Sequence, residues 1–238
     1  MKPELILFDY GNTLVTEPDW NPEKGNAALF KKIGKENEYP ALKKFMERER
    51  DELMVQVKIL RSLNKEMAGA DFSRMLFSKL CIETPLTDFE IGETFWHAAS
   101  EGKAVEGADE TLGYFHSKGI KTGIVSNMMW SAPLLKKRLK RIFPCREFDP
   151  ILTSADCNCR KPEPYIFNCA AELSGVEKSK IVFCGDNPEA DIEGASNAVF
   201  MPVYFKNSFD SRGYGSDKKP HCEYKEIHCL KELTELIL

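Results

Sequence analysis

Short apolar segments that alternate with amphipathic helical patterns constrain the fold of this chain more than any other feature. Five segments have the apolar content and turn-like flanks of strands: residues 4–8, 120–125, 150–153, 181–184 and 199–205. Helical patterns lie between the later segments, at residues 109–118, 132–142, 164–173 and 190–195. Because strands alternate with helices, we predict an α/β fold with a doubly wound, Rossmann-like parallel sheet.

The composition of the strands also predicts their places in the sheet. The first and fourth segments are nearly all apolar, as expected for strands that are covered by helices on both faces. Pro202 lies inside the fifth segment. Since proline cannot donate a ladder hydrogen bond, this segment is predicted to be an edge strand or a late strand.

Residues 17–103 interrupt the alternation of strands and helices. Apolar residues recur there at helical spacing in two stripes: Met46, Leu53, Val57 and Leu60, then Phe72, Met75, Leu76 and Leu80. Thr87 and Glu90 form a capping-box pattern that opens a third helix carrying Ile91, Phe95 and Trp96. We predict a helical domain over 17–103, inserted into a core domain of 1–16 and 104–238, with the Met and aromatic positions as bundle core.

Charge and hydropathy exclude some classes of partner. The 238 residues carry a formal net charge of −4, so the composition does not point to a nucleic-acid partner. The basic run at 136–141 is spaced as the solvated face of an amphipathic helix. The first apolar run, residues 5–8, is too short for a signal or a membrane span. We therefore expect no membrane partner and a cytoplasmic location. The Gly- and Ser-rich tract at 206–220 is predicted to be a mobile loop.

The eight cysteines are expected to be reduced thiols, because the sequence shows no export signal. Cys157 and Cys159 form one group, and His221-Cys222 with His228-Cys229 form another. Neither group has the paired spacing of a structural zinc site, so zinc is disfavoured. A thiol close to Lys161 could have a lowered pKa and a redox role, but ordinary loop cysteines are the favoured interpretation.

Polar residues follow the predicted strands at the edge where open α/β sheets place their ligands. Asp9 ends the first strand, and Ser126 ends the second. Lys161 precedes a helix that starts with proline. Asp186 and Asp191 follow the fourth strand on a turn that begins with glycine, as a hard-cation site would require. A lone buried carboxylate such as that of Asp9 is costly unless it is paired or bound to a metal.

This set of residues resembles the four motifs of the haloacid dehalogenase-like hydrolases, and the resemblance covers nearly the whole chain. Residues 17–103 resemble the helical cap of that superfamily. The resemblance implies Asp9 as a nucleophile that forms an aspartyl-phosphate, with Ser126 and Lys161 as catalytic partners. It implies that Mg²⁺ is bound by Asp9, Asp186 and the main-chain carbonyl of Gly11.

The remaining site residues are assigned on the same resemblance. Thr13, Ser126, Asn127 and Lys161 would bind the phosphoryl group, and Asp191 would support Lys161 or a metal-bound water. The implied substrate is a small phosphorylated metabolite. The oligomeric state is left open, with a monomer favoured.

Position 11 departs from the pattern of that superfamily. Its phosphatases usually carry a second Asp two residues after the nucleophile, which protonates the leaving group, whereas this chain has Gly11. Acid–base help of this kind is typically worth about two to four powers of ten in rate. We therefore predict a phosphatase that is slow on ordinary esters, or one limited to good leaving groups.

Three alternatives stay open at this point. A haloacid dehalogenase-like enzyme would cleave a C–halogen bond, but it needs no metal and would leave Asp186 unexplained. A phosphonoacetaldehyde hydrolase-like enzyme would cleave a C–P bond with a cap lysine; candidates are Lys31, Lys32, Lys43 and Lys44. A non-catalytic binding or regulatory protein would explain Gly11 but not the retained polar residues.

Overall fold

A computed structural model describes residues 2–207 and 219–237 of the chain. Six strands form one parallel sheet in the order β5-β4-β1-β6-β7-β8, and β2 and β3 form a small antiparallel pair. The strands are β1 Leu5–Phe8, β2 Val15–Thr16, β3 Lys103–Ala104, β4 Lys121–Ser126, β5 Ile151–Thr153, β6 Ile181–Gly185, β7 Met201–Phe205 and β8 Lys225–Ile227.

Helices cover the sheet and fill the segment between β2 and β3. They are α1 Pro22–Lys32, α2 Tyr39–Ser62, α3 Gly69–Lys79, α4 Asp88–Ala99, α5 Ala108–Ser117, α6 Ala132–Ile142, α7 Ser154–Cys157, α8 Pro164–Ser174, α9 Gly194–Asn197 and α10 Leu230–Leu236. A wide, π-helical turn at Pro188–Glu193 leads into α9. The five predicted strands and the α/β fold class are confirmed, while β2, β3 and β8 are too short to show as apolar runs.

The central strand β1 determines where the site lies. In the ladder Phe8 lies opposite Ile124 of β4 on one side and opposite Cys184 of β6 on the other. Because all three strands run parallel, their carboxyl ends meet at one edge of the sheet. The residues that directly follow β1 and β6, and the last residue of β4, therefore lie side by side.

The sheet is buried on both faces, as predicted. Ile6 and Phe8 belong to one hydrophobic cluster, and Leu5 and Leu7 belong to another on the opposite face. Pro202 does not lie in an edge strand, since β7 pairs with β6 and with β8. However, pairing with β8 begins only at the next residue, so β7 has a single neighbour at Pro202 itself.

The inserted helices α1 to α4 have a hydrophobic cluster of their own, which includes Leu29, Phe30, Met46, Leu53 and Phe77. The predicted capping box is confirmed: Thr87 and Glu90 bond each other's backbone N–H at the start of α4. Met75 is a correction to the predicted core, because it is exposed and Phe77 takes the buried position. Most of the loop predicted at 206–220 lies outside the described residues.

The basic run on α6 needs a second correction. Lys136, Lys137 and Lys140 are exposed, as predicted, but Arg138 is buried. Its Nε donates to the Tyr10 hydroxyl at 2.8 Å, its Nη2 bonds Glu17 Oε1 at 2.8 Å, and its guanidinium lies over the Trp96 ring. Hydrophobic spacing alone cannot identify such a buried cation, because its partners come from distant segments.

None of the helices in residues 2–207 and 219–237 combines the length and the apolar character needed to cross a membrane.

Candidate active site

The side chains predicted from the strand ends meet at one point. Asp9, directly after β1, accepts a hydrogen bond at Oδ1 from Ser126 Oγ at 2.9 Å. The same oxygen accepts one from Lys161 Nζ at 2.7 Å. Lys161 also donates to the Val125 carbonyl at 2.8 Å and forms an ion pair with Asp191 at 2.6 Å. The end of β4 and the loop before α8 thus each bring a donor to the carboxylate that follows β1.

Carboxylates line the other side of this point. Asp9, Asp186 and Asp191 each offer an oxygen within 4.8 Å of the others. Gly185 at the end of β6 makes this approach possible: a Cβ there would collide with the Asp191 carboxylate. Its φ is not positive, so the role of this glycine is to provide space for the carboxylate.

The electrostatics of the cluster favour a bound cation. Burial, together with repulsion by Asp191 and Asp9, raises the pKa of Asp186 to about 8. Burial opposes the charge on Lys161, yet the neighbouring Asp191 and Asp9 raise its pKa above the usual value. If all three carboxylates are ionised, the single ammonium among them leaves two negative charges uncompensated. A divalent cation with oxygen ligands matches that deficit.

The two other predicted phosphate ligands, Asn127 and Thr13, differ in their hydrogen bonding. The Asn127 side chain bonds both the N–H and the carbonyl of Lys161, at 2.8 and 2.9 Å. Its amide therefore holds the Lys161 backbone in place. Thr13 is fully buried, and its hydroxyl has no hydrogen-bond partner among the described residues. Such an orphaned group is costly, so the Thr13 hydroxyl is open to a further hydrogen bond.

Gly11 lies in the tight turn after Asp9, where the N–H groups of Leu14 and Val15 both donate to the Tyr10 carbonyl. A Cβ at position 11 would meet only Asp9 Oδ2, at an ordinary 3.9 Å. The site therefore has room for a side chain there and lacks one. The Tyr10 hydroxyl cannot replace it, since it is bound to Glu17 and Arg138.

Glu66 is part of this region although its sequence context gave no signal. It lies between α2 and α3, and its side chain is fully buried. Oε2 accepts from Ser154 Oγ at 2.9 Å and contacts Arg160, while Oε1 accepts from Arg61 at 3.3 Å. It thereby joins the inserted helices to the loop that carries Lys161.

We expect Glu66→Ala to lower the thermal unfolding temperature by at least about 5 °C. Removing one partner of a buried ion pair costs about 3–5 kcal/mol, and partial exposure of Arg61 reduces this to about 2–4. For a chain of this size 1 kcal/mol corresponds to roughly 2–4 °C. Differential scanning calorimetry would measure the shift. Glu172→Ala, at an exposed position, is the control; an equally small shift in both variants would contradict the role of Glu66.

The cysteines behave as the favoured interpretation expects. Burial raises the pKa of Cys157 from 9.0 to about 11, which excludes the lowered pKa that a redox role would need. Among the described residues, no group of three or more metal-ligating side chains includes a cysteine or histidine.

A thiol reagent such as Ellman's reagent should therefore discriminate between the cysteines at pH 7.5. The exposed thiols are those of Cys81, Cys145 and Cys229, and they should react fast. Cys157 should react slowly, because the rise of its pKa from 9.0 to about 11 lowers its thiolate fraction about a hundredfold. Peptide mapping after a short pulse would show which sites react, and guanidinium-unfolded protein is the control. Early labelling of Cys157 would contradict this assignment.

The chain belongs to the haloacid dehalogenase-like hydrolase family, whose model matches residues 3–198. It is accordingly a hydrolase-type enzyme built on an α/β Rossmann-like core.

Three known proteins illustrate this relationship. Over 243 aligned residues the chain is 27% identical to ribulose-1,5-bisphosphate 5-phosphatase of Halopiger xanaduensis, covering 97% of this chain and 96% of the relative. A HAD phosphatase from Thermococcus onnurineus superposes with a TM-score of 0.62 at 23% identity, over 100% of this chain and 98% of its own. A 2-haloacid dehalogenase from Pseudomonas syringae gives 0.66 at 20%, over 99% and 98%. At such low identities the two structures are alike in fold.

Proposed function

We propose that the chain is a Mg²⁺-dependent phosphatase that acts on a small phosphorylated metabolite through an aspartyl-phosphate at Asp9. The observation that carries this proposal is the buried contact of one Asp9 oxygen with both Ser126 and Lys161, beside two further carboxylates. A relative that matches this chain over nearly the whole length of both proteins is named a phosphatase, which supports the proposal.

The residues present fit a magnesium ion. Asp9, Asp186 and the carbonyl of Gly11 would hold it, with Asp191 supporting Lys161 through their ion pair. Mg²⁺ prefers a few protein oxygens and keeps several waters. When bound, it would neutralise charge on the phosphoryl oxygens and on the cluster of carboxylates.

The side chains of this chain do the rest. Ser126 Oγ and Lys161 Nζ hold Asp9 in place and would exchange their bonds to it for bonds to phosphoryl oxygens that arrive beside it, with Thr13 as a further buried hydroxyl. The Asp9 carboxylate attacks phosphorus, the bond from phosphorus to the leaving oxygen breaks, and water then hydrolyses the acyl phosphate. Asn127 keeps Lys161 in register through its backbone.

Gly11 determines which substrates suit this site. Because no side chain at position 11 can donate a proton, this position gives the leaving oxygen no acid help. We propose that the enzyme is restricted to leaving groups that are stable as anions, or is slow on others.

The inserted helices are proposed to act as the cap, with the domain boundaries 17–103 against 1–16 and 104–238. Their contact with the loop of Lys161 through Glu66 supports this role. Opening and closing of the cap would admit substrate and exclude water. A cytoplasmic location and a monomeric state remain predictions.

The carbon–phosphorus alternative has less support. It needs an unprotonated cap lysine, whereas the cavity lined by the inserted helices and residues 128–130 has no lysine in its wall among the described residues. Lys161 itself is held charged by two carboxylates. The dehalogenase alternative leaves the acidic cluster without a role.

Release of inorganic phosphate from 4-nitrophenyl phosphate tests the proposal. We expect turnover with Mg²⁺, loss of at least nine-tenths of it on chelation with EDTA, and recovery when excess Mg²⁺ is restored. An equal rate with and without the metal, or no release at all, would count against a Mg²⁺-dependent phosphatase.

A further inference from the structure

The inserted helices and the loop after Ser126 enclose a cavity of about 470 Å³. Met128, Met129 and Trp130 of that loop form part of its wall. Two residues of chain span at most about 7 Å, so Met128 lies within that distance of Ser126, whose hydroxyl bonds Asp9. The wall of the cavity therefore begins two residues along the chain from the side chain that bonds the nucleophile.

Aromatic rings dominate the wall of this cavity: Trp20, Phe72, Phe95 and Trp130. Trp130 is held rigidly, because its ring stacks on Trp96 at 5.6 Å and lies 5.7 Å from Phe95. Gly69 makes room for it, since a Cβ there would collide with the indole. A preformed apolar wall of this kind favours a flat apolar ligand.

Several of the polar groups in the lining are already engaged within the protein. Ser73 Oγ donates to the Gly69 carbonyl at 3.0 Å, Arg61 Nε bonds Glu66 at 3.3 Å, and Arg50 bonds Asp51 at 2.9 Å. A sugar would bring several hydroxyls that each need a partner on burial. Asn26 is the remaining polar side chain of the lining. The wall thus offers few uncommitted partners to the hydroxyls of a sugar, whereas its aromatic rings suit an apolar ring.

We propose that this cavity binds the leaving group and that the substrates are aryl phosphates, monoesters of phenols with up to about two fused rings. The inference deepens the phosphatase function proposed above and rests on it. A cavity of roughly 150 Å³ binds one benzene, so the observed volume accommodates two rings.

Gly11 leads independently to the same class. A phenol has a pKa of about 10, like that of tyrosine, so its anion departs far more readily than an alkoxide. In the reaction Asp9 forms the new bond to phosphorus, the bond from phosphorus to the aryl oxygen breaks, and the phenolate leaves with the electron pair and takes its proton from water.

The test compares three phosphates with Mg²⁺ present: 1-naphthyl phosphate, glycerol 3-phosphate and acetyl phosphate, whose leaving group is too small to need the cavity. Met54→Trp fills the cavity from α2, and Val55→Trp adds the same ring at an exposed neighbouring position. Phe72→Leu removes one ring of the wall in case the filled variant does not fold, as judged by thermal unfolding.

We expect kcat/KM for 1-naphthyl phosphate to exceed that for glycerol 3-phosphate by at least a hundredfold. This kcat/KM should fall roughly tenfold or more in Met54→Trp and severalfold in Phe72→Leu. The kcat/KM for acetyl phosphate in these two variants should change by less than about twofold, as should that for 1-naphthyl phosphate in Val55→Trp. Calorimetric titration with 1-naphthol gives a readout without turnover, and its affinity should fall in the same variants.

The outcomes separate the two proposals. If acetyl phosphate is hydrolysed but 1-naphthyl phosphate is no better than glycerol 3-phosphate, the aryl phosphate inference is overturned and the phosphatase stands. Equal affinity of 1-naphthol for folded Met54→Trp and Val55→Trp overturns the assignment of the cavity as the leaving-group site, whatever the rates of hydrolysis. Phosphate release from none of the three phosphates overturns both proposals.

Discussion

Replacing Asp9 with Asn is expected to lower Mg²⁺-dependent phosphate release from 4-nitrophenyl phosphate by at least about a thousandfold. The amide has nearly the same shape but cannot attack phosphorus. It also removes the negative charge that Lys161 and Ser126 share at Oδ1. Phosphate release under saturating substrate, followed by malachite green, would measure the loss.

Two controls connect this loss with the chemistry of Asp9. Asp109→Asn removes a half-exposed carboxylate of α5 that pairs with Arg146 and should leave the rate within about twofold. Rapid acid quenching of the wild-type reaction should give a peptide containing Asp9 with the added mass of a phosphoryl group, which is absent from the variant. Retention of more than a tenth of the activity in Asp9→Asn, with the fold intact by circular dichroism, would contradict the nucleophile assignment.

Gly11→Asp is expected to raise the rate on a poor leaving group, such as that of glycerol 3-phosphate, by about 10²- to 10⁴-fold. A carboxyl group two residues after the nucleophile could protonate the departing alkoxide. The backbone admits it: φ of Gly11 is not positive, and a Cβ meets only Asp9 Oδ2 at 3.9 Å. The gain on 4-nitrophenyl phosphate should be much smaller, because its leaving anion needs little acid help.

Gly11→Asn is the matched control, since it has the same shape and cannot donate a proton as an acid. Steady-state kinetics on both esters would give four rates to compare with the wild type. An equal effect of Asp and Asn at position 11, or no gain on glycerol 3-phosphate, would show that the missing acid does not limit this enzyme.

The two variants probe different parts of the same edge of the sheet. Asp9→Asn tests whether the convergence of Ser126 and Lys161 on a carboxylate serves nucleophilic attack. Gly11→Asp tests whether the restriction on leaving groups comes from one absent side chain. A lower rate in Asp9→Asn and a higher rate in Gly11→Asp would together support a phosphatase that lacks its general acid. The aromatic cavity would then bind aryl leaving groups, which depart without a general acid.

The amino-acid sequence was sufficient to predict the parallel sheet and the residues at its carboxyl edge. Buried strands are local apolar runs, and a polar residue at the end of such a run is unusual enough to stand out, as Asp9 and Asp186 do. The ends of parallel strands necessarily meet. The common edge of Asp9, Ser126 and Asp186 was therefore predictable, whereas the neighbouring places of β4, β1 and β6 in the sheet came from the structure.

Other features depend on contacts between segments far apart in the chain, and local pattern carries no trace of them. Arg138 looked like one cation in a solvated run, but its partners Tyr10 and Glu17 lie more than a hundred residues away. Glu66 is buried only because Ser154 and Arg160 reach it from the core. Phe72 and Phe95 have the spacing of core residues, yet packing of the helices against Trp130 leaves them lining a cavity. Helical periodicity identifies the inward face of a helix, whereas the space left between two such faces depends on how they pack together.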